Sequence, residues 1–401
     1  SKPMTNNEST SSAVDLERAR DIHTKAMVID AHVDIEIPGR ESPYVGDDGR
    51  SKAAPDKMVK GDMDAVVFSV ASGPTPRDQA GYDSARRKAG RKLAAVNEML
   101  AEPSNNLVLA TTADDVVQAK ASGKRAIVLG FQNTQIIGTD IPTLDEFYDA
   151  GIRVFALAHI GHNDCADSSR PNFITALGKH EPDEEHGGLS EFGREAIKRI
   201  NQLGGLVDVS QTSMNATLQT IALSTTPVIA SHSNARALCD VSRNLSDQEI
   251  DAIAVNGGVI HVSPFRGYLF DTTNSELVAA IRTARLEANL PEKYLYPFEL
   301  YWEIKDPEEQ LAFTDTISDL LAEVNIDNFI DHIDYIAKRI GVAHVGIGTD
   351  FNHGAGIAGF NEASDAFNVT VALMARGYSE ADIDKIWGRN FLAALDAAQN
   401  S

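Results

Sequence analysis

The chain has 401 residues, of which 43% are hydrophobic and 23% charged, so it can bury the core of one large α/β barrel or of two ordinary domains. Its formal net charge of −22 repels polyanions and argues against a nucleic-acid partner. We find no run of about 18 apolar residues, so no transmembrane helix is predicted. The two cysteines, Cys165 and Cys239, form no C-x-x-C pair, and their spacing does not argue for a disulfide.

The chain begins with a polar stretch, SKPMTNNESTSSA. We expect residues 1–20 to be disordered or a linker, and residues 21–401 to form a single domain. The compartment stays open at this point.

Eight short apolar runs follow one another along the chain, each about strand length and rich in Val, Ile or Phe. They are residues 27–34, 65–71, 126–132, 153–159, 205–211, 227–233, 258–264 and 344–351. Helix-like stretches separate most of them, such as DSARRKAGRKLAAVNEML and SEFGREAIKRINQLG, whose apolar residues recur every three to four positions. The second of these has Ser190 as an N-cap and is followed by Gly204, and SDQEIDAIAVNGG repeats this pattern.

Strands that alternate with helices predict a parallel sheet, and eight of them predict a closed (β/α)8 barrel of the TIM type. The competing fold is a doubly wound open sheet. No G-x-G-x-x-G motif follows an early strand, which disfavours that alternative.

Residues 265–325 separate the seventh and eighth runs by far more than a usual loop. They contain two helical patterns, SELVAAIRTARLEANL and DPEEQLAFTDTISDLLAEV, and an aromatic segment, YLYPFELYW. We interpret them as an insertion on the top face of the barrel. Either a lid or partner surface, or an additional packed pair of helices, fits this pattern.

Polar residues stand at or just beyond the C-terminal ends of the predicted strands, where the catalytic groups of parallel barrels collect. His32 and Asp34, at positions i and i+2 of one strand, point to the same side and can share a metal ion such as Zn²⁺. Each such residue alone could instead be a capping or core residue, and only their joint placement favours a common pocket. The full set is His32, Asp34, Gln132, His159, Gln211, His232 and Asp350, with His162 and His353 as weaker candidates.

These motifs resemble those of the renal (membrane) dipeptidases, peptidase family M19 of the amidohydrolase superfamily. The resemblance extends from about Asp21 to Leu395, apart from the insertion. It rests on VIDAHVD, LAHIGHNDCADSS, GGLSEFGREAIKRINQLGGLVDVSQTS, PVIASHSNARALCDVSRNLSDQEIDAIAVNGGVI, DHIDYIAKRIGVAHVGIGTDF and GRNFLAAL. The chain is also similar to the family's subgroup linked to maturation of the siderophore pyoverdine, and this likeness favours a periplasmic or secreted location.

The resemblance implies a role for each matching residue. His32 and Asp34 would hold a first metal ion, and His232 would bind a second. His159 would polarise the scissile carbonyl and stabilise the oxyanion, and Asp350 would carry a proton. Arg243 would bind the C-terminal carboxylate of the substrate, unless it forms only a surface salt bridge.

Two departures from the family pattern bear on the metal site. Gln132 stands where the family has a bridging glutamate, and Gln211 stands where it has a second histidine ligand. Paired ions in such sites lie roughly 3.5–4 Å apart. At about 4 Å two unit charges repel by roughly 4 kcal/mol, and two dications by about four times as much. Because neither glutamine offsets this repulsion, we expect one zinc ion at most, weakly held or absent, and consider two unlikely.

Two functions stay open from the sequence. The first is a dipeptidase, or a hydrolase of another amide, that binds a small peptide and hydrolyses it with one metal ion. The second is a non-hydrolytic peptide-binding pseudoenzyme that keeps His159 and Arg243 but has lost metal ligands. A homodimer is expected from the family alone.

Overall fold

The structure is a computed structural model that describes residues 14–290, 304 and 306–400. The segment YLYPFELYW and residues 1–13 of the predicted linker lie outside the described residues. The first helix begins at Leu16, and the side chain of Asp15 accepts hydrogen bonds from the backbone N–H groups of Glu17 and Arg18. Residues 16–20 are therefore helical, which corrects the predicted end of the linker.

Eight parallel strands follow one another around a barrel. All strands, in chain order, are β1 (Ile29–Asp34), β2 (Ala65–Ala71), β3 (Leu107–Leu109), β4 (Arg125–Gln132), β5 (Ile152–Ala156), β6 (Phe173–Ile174), β7 (Lys179–His180), β8 (Leu206–Asp208), β9 (Ile229–Ala230), β10 (Val259–Val262) and β11 (Val345–Ile347). Their order in the sheet is β1-β2-β4-β5-β8-β9-β10-β11, while β3 pairs only with β4 and β6–β7 form a separate hairpin.

The barrel closes between its first and last strands. The backbone N–H of Asp34 donates to the Phe351 carbonyl at 3.0 Å, and the N–H of Asp350 donates to the His32 carbonyl at 2.8 Å. The predicted (β/α)8 barrel is confirmed, and the open sheet is excluded. An irregularity in β1 between Asp30 and Val33 shifts its register against β2. Such an irregularity changes the direction of the side chains that follow it.

Helices connect the strands and surround the barrel. They are α1 (Leu16–Lys25), α2 (Pro55–Lys60), α3 (Gln79–Ala101), α4 (Ala113–Ala121), α5 (Thr143–Asp149), α6 (Glu191–Leu203), α7 (Met214–Leu223), α8 (Asp247–Asn256), α9 (Ser275–Glu287), α10 (Pro307–Leu320), α11 (Ile326–Ile340), α12 (Ala366–Ala375), α13 (Glu380–Asp384) and α14 (Asn390–Gln399).

The helix ends follow the predicted capping residues. Ser190 caps α6 by accepting a hydrogen bond from the backbone N–H of Gly193, and Gly204 ends this helix in the left-handed region at φ 89°. Ser246 and Glu249 form a capping box at the start of α8. Local sequence and tertiary packing therefore agree on where these helices begin and end.

The insertion contains the two predicted helices, α9 and α10, and they contact each other. Their buried positions include Ile281, Phe313 and Ile317, whereas Leu286 and Leu311 are exposed. This contact is what an additional packed pair of helices requires. A role as a lid or partner surface stays a prediction.

Two apolar layers stabilise the barrel. Alternate strand residues such as Ile29 and Val67 pack with Phe391 and Leu395 of α14, and the opposite side of the strands packs against the surrounding helices. Cys165 and Cys239 are free thiols buried in the second layer. In the part of the chain that the structure describes, no helix is both long enough and apolar enough to cross a membrane.

Buried neutral histidines make the fold sensitive to acid. Burial lowers the pKa of His332 to about 3, and its Nδ1 accepts a hydrogen bond from the Ala235 N–H at 3.1 Å. The unfolded chain therefore binds one more proton than the folded chain between about pH 6.5 and pH 3. Stability should fall as the pH drops below about 6.5, by about 1.4 kcal/mol per pH unit for this residue.

His332→Asn, which keeps an acceptor near the same position, should reduce this acid sensitivity. The measurement is the difference in the free energy of unfolding between pH 7 and pH 5, for the wild type and for the variant. An equal difference in both proteins would contradict the assignment.

Candidate active site

The C-terminal ends of five different strands bring the predicted polar residues together. Their side chains are all buried. They are His32 in β1, Gln132 at the end of β4, Gln211 after β8, His232 after β9 and Asp350 after β11.

A pair of amides lies at the centre of this group. Nε2 of Gln132 donates to Oε1 of Gln211 and, at 3.1 Å, to the Ala158 carbonyl. Oε1 of Gln211 also lies 3.2 Å from Nε2 of His232. Since an amide oxygen only accepts, this nitrogen of His232 carries the proton. Nδ1 of His232 then accepts from the Ser231 hydroxyl at 2.8 Å, so both nitrogens of this imidazole are engaged.

The imidazole of His32 is stacked on that of His232. The ring centroids are 3.8 Å apart and the planes differ by 8°. Burial lowers the pKa of both rings, which are therefore neutral near pH 7. Nε2 of His32 lies 3.5 Å from Oδ1 of Asp350. Both atoms are buried and have no hydrogen-bond partner among the described residues, and the same is true of Oε1 of Gln132.

Asp208 is a site residue that the sequence analysis missed. It lies at the end of β8, and its carboxylate accepts from the backbone N–H groups of Ser210 at 2.9 Å and Ser231 at 3.0 Å. Burial raises its pKa. With His32 and His232 it offers three ligand atoms within 4.8 Å of one another. The available signal was a charged residue inside a buried parallel strand.

The residues present fit one divalent ion. Two neutral imidazoles and a carboxylate are a donor set suited to Zn²⁺, and unpartnered buried atoms of His32 and Asp350 face each other beside it. Gln132 and Gln211 bring no negative charge to the site and are hydrogen-bonded to each other.

Asp34, the second predicted ligand on β1, forms an ion pair with a lysine. Its Oδ1 accepts from the ammonium group of Lys92 at 2.6 Å and from the Ile35 N–H at 2.9 Å. Lys92 lies in α3, and a lysine within an amphipathic helix gave no sequence signal of a role in the site. Asp34 thus lies at the edge of the pocket in an ion pair.

His159 and His353 line the side of the site. The two rings lie 4.8 Å apart between centroids. Nδ1 of His159 accepts from the Ile160 N–H at 2.7 Å, so Nε2 carries the proton of this neutral ring, whose pKa burial holds well below its usual value. Burial also lowers the pKa of His353, but the nearby negative charge of Asp350, whose Oδ1 lies 3.6 Å from Nδ1 of His353, outweighs burial and raises the pKa. Sequence reasoning gave His353 too little weight.

Arg243 is buried beside the metal-ligand candidates. Its Nη2 donates to the His232 carbonyl at 2.7 Å, and its guanidinium lies 5.3 Å from the ring centroid of Tyr268. This backbone contact and the aromatic face hold the guanidinium in one orientation. His162, the other weak candidate, instead accepts from the Ser168 N–H through Nδ1 and contacts the Pro182 carbonyl through Nε2.

Comparison with known proteins gives consistent matches. The family model described as membrane dipeptidase (peptidase family M19) matches residues 16–401. Dipeptidase tcpJ of Claviceps purpurea (strain 20.1) is 27% identical over 386 residues, which are 95% of this chain and 77% of the relative.

Solved structures agree with these matches. The crystal structure of the probable dipeptidase PvdM from Pseudomonas aeruginosa is 33% identical, with a TM-score of 0.84 over 96% of this chain and 98% of that chain. A metallopeptidase from Rhodobacter sphaeroides, liganded with a phosphinate mimic of the dipeptide L-Ala-D-Ala, is 19% identical with a TM-score of 0.70. The match covers 93% of this chain and 99% of the Rhodobacter sphaeroides chain, and it shows that the two have the same fold.

Proposed function

Because the chain belongs to the membrane dipeptidase family, M19, and is similar to PvdM, we propose that it binds dipeptides or short peptides and hydrolyses them only with one divalent ion bound. The observation that carries the proposal is the hydrogen-bonded pair of Gln132 and Gln211 at the centre of the site. Because this pair of amides brings no charge, the remaining groups of the site are suited to binding a peptide and a single ion.

His32, His232 and Asp208 would hold that ion, with Asp350 beside them. A divalent ion supplies Lewis acidity that activates water and polarises a carbonyl. Gln211 must release His232 before this imidazole can bind it, because Nε2 of His232 now donates to the amide. We therefore expect weak metal binding.

The chain's own residues bind and orient the peptide. Arg243 pairs with its C-terminal carboxylate through a bidentate guanidinium contact. The protonated Nε2 of His159 donates to the scissile carbonyl oxygen, and more strongly once this oxygen becomes an anion. Oδ1 of Asp350, which has no hydrogen-bond partner among the described residues, accepts a proton from water and returns it to the leaving amine.

A second candidate function is peptide binding without hydrolysis. It is favoured by the state of His232, both of whose nitrogens are engaged by Gln211 and Ser231. In that case the fold keeps the groups that recognise a peptide and uses no metal ion.

One experiment separates the two candidates. Purified protein is treated with a chelator, reloaded with Zn²⁺ and desalted, and a panel of dipeptides is tested for binding by calorimetry and for cleavage by chromatography. Cleavage that needs one zinc ion per chain supports the hydrolase. Binding without cleavage at any zinc concentration supports the pseudoenzyme, and no binding of any peptide would contradict both.

Two further features are part of this proposal. A homodimer is expected from the family, and a single domain over residues 16–401 is expected from the barrel pattern and the helix that begins at Leu16. Measurement of the solution mass by light scattering tests the first, and limited proteolysis tests the second.

A further inference from the structure

We propose that Lys92 supplies a positive charge at Asp34, so that Asp34 serves as an ion-pair partner and not as a metal ligand. The inference deepens the proposed function, because it explains why the site takes at most one ion. The inference depends on the proposed function only in assuming where the single ion would bind.

The geometry of Asp34 is that of a satisfied ion pair. The ammonium nitrogen of Lys92 lies 2.6 Å from Oδ1, and the Ile35 N–H donates to the same oxygen at 2.9 Å. The two charged side chains are only 16% and 15% exposed. An ion pair with such low exposure is screened little by solvent, so the charge of Asp34 is neutralised within the protein.

The charge of the Lys92 ammonium group also acts on residues of the active site. This charge contributes to lowering the pKa of His159 and acts in the same direction on His353, whose Nδ1 lies 3.6 Å from Oδ1 of Asp350. A divalent ion bound at Asp34 would face this fixed cation at close range and would have to displace it. Lys92 therefore opposes a second ion in addition to the loss of ligands at Gln132 and Gln211.

The same arrangement leaves hydrogen-bond donors for a ligand. A lysine ammonium has three N–H donors, and in the described part of the chain Asp34 is the hydrogen-bond acceptor that Lys92 contacts. The remaining donors are available to a peptide oxygen at the edge of the site. Lys92 thus offers a peptide oxygen hydrogen-bond donors at the edge of the site.

The test compares the wild type, D34N, K92M and K92M/D34N as full chains, using Zn²⁺ alone as the probe. Zinc stoichiometry is measured by elemental analysis after desalting, and the dissociation constant by calorimetry. D34N should weaken zinc binding less than about 10-fold, through the Lys92 ammonium that it leaves unpaired near the site and not through loss of a ligand. K92M should bind zinc at least about 10-fold more tightly, and K92M/D34N should lose this gain.

Lys88 provides a matched control, because it lies one turn earlier on the same helix and is not the residue paired with Asp34. K88M should leave zinc binding unchanged. If K92M does not fold, K92Q keeps a donor for Asp34 without the charge and replaces it in the comparison.

Two results would overturn the proposal. One is a loss of at least about 10-fold in zinc affinity in K92M/D34N relative to the wild type, which would make Asp34 a ligand because both charges of the ion pair are then absent. The other is unchanged zinc binding when Lys92 is neutralised in a folded variant. If the wild type binds no zinc, the test becomes the comparison of zinc binding by K92M with zinc binding by K92M/D34N. Because metal content is measured and not turnover, failure of this inference is distinguishable from failure of the proposed hydrolysis.

Discussion

Replacing Arg243 by alanine is expected to weaken the binding of a dipeptide with a free C-terminal carboxylate by at least about 100-fold. Removal of one member of a buried charge pair typically costs about 2–5 kcal/mol, because the other charge is left unpaired. Arg243 is buried and already oriented by the His232 carbonyl and the Tyr268 ring, so little ordering opposes its contact with the ligand.

The decisive control for this prediction is the ligand. A dipeptide amide, which lacks the carboxylate, should lose much less affinity on R243A than the free acid does. R243K should fall between R243A and the wild type, because an ammonium keeps the charge without the bidentate geometry. Melting temperature must be measured as well, since R243A also removes the donor to the His232 carbonyl. Equal losses for the acid and the amide would exclude the carboxylate contact.

The sequence predicted the barrel well because its strands are continuous buried runs and its helices carry strong end signals. All eight predicted runs overlap the strands of the barrel. The short β3, which pairs beside the first half of β4, was not predicted because its three residues carry no separate pattern. The helix at Leu16–Lys25 was missed because the polar start of the chain was extended too far into it.

The site was predictable only where a residue stands at the end of a strand. His32, Gln132, His232 and Asp350 were found in this way, and the structure brings them together. Asp208 was missed because the prediction rested on the polar residues at the end of each apolar run, which for residues 205–211 is Gln211.

The partner of Asp34 could not be read from the sequence at all. Its contact with Lys92 joins residues 58 positions apart, one on a strand and one on a helix. Strand alternation predicted that the carboxylate points to the same side as His32, but it cannot say which cation the carboxylate will contact. The role of a residue that matches a family pattern therefore depends on the surrounding side chains as well as on the residue itself.

Restoring both family residues, with Gln132→Glu and Gln211→His, is expected to increase zinc affinity by at least about 100-fold. The glutamate adds a negative charge at the centre of the site, and the histidine adds a strong ligand. The same change removes Oε1 of Gln211, which now engages Nε2 of His232, and so frees this nitrogen to bind an ion. Gln211 has a φ of 71°, and histidine is among the residue types enriched in this left-handed region, so the backbone can accept it.

Elemental analysis after zinc loading and desalting, together with dipeptide cleavage, measures the outcome. One firmly held ion is expected in the double variant, and a second only when Lys92→Met is added, because the ammonium at Asp34 still opposes it. Gln132→Glu with Gln211→Ala is the matched control, since it adds the charge without the imidazole and should gain less. Unchanged zinc affinity in the double variant would mean that the two glutamines do not limit metal binding, and that the stacked His32 and His232 rings, whose lone pairs lie in nearly parallel planes, are themselves the obstacle.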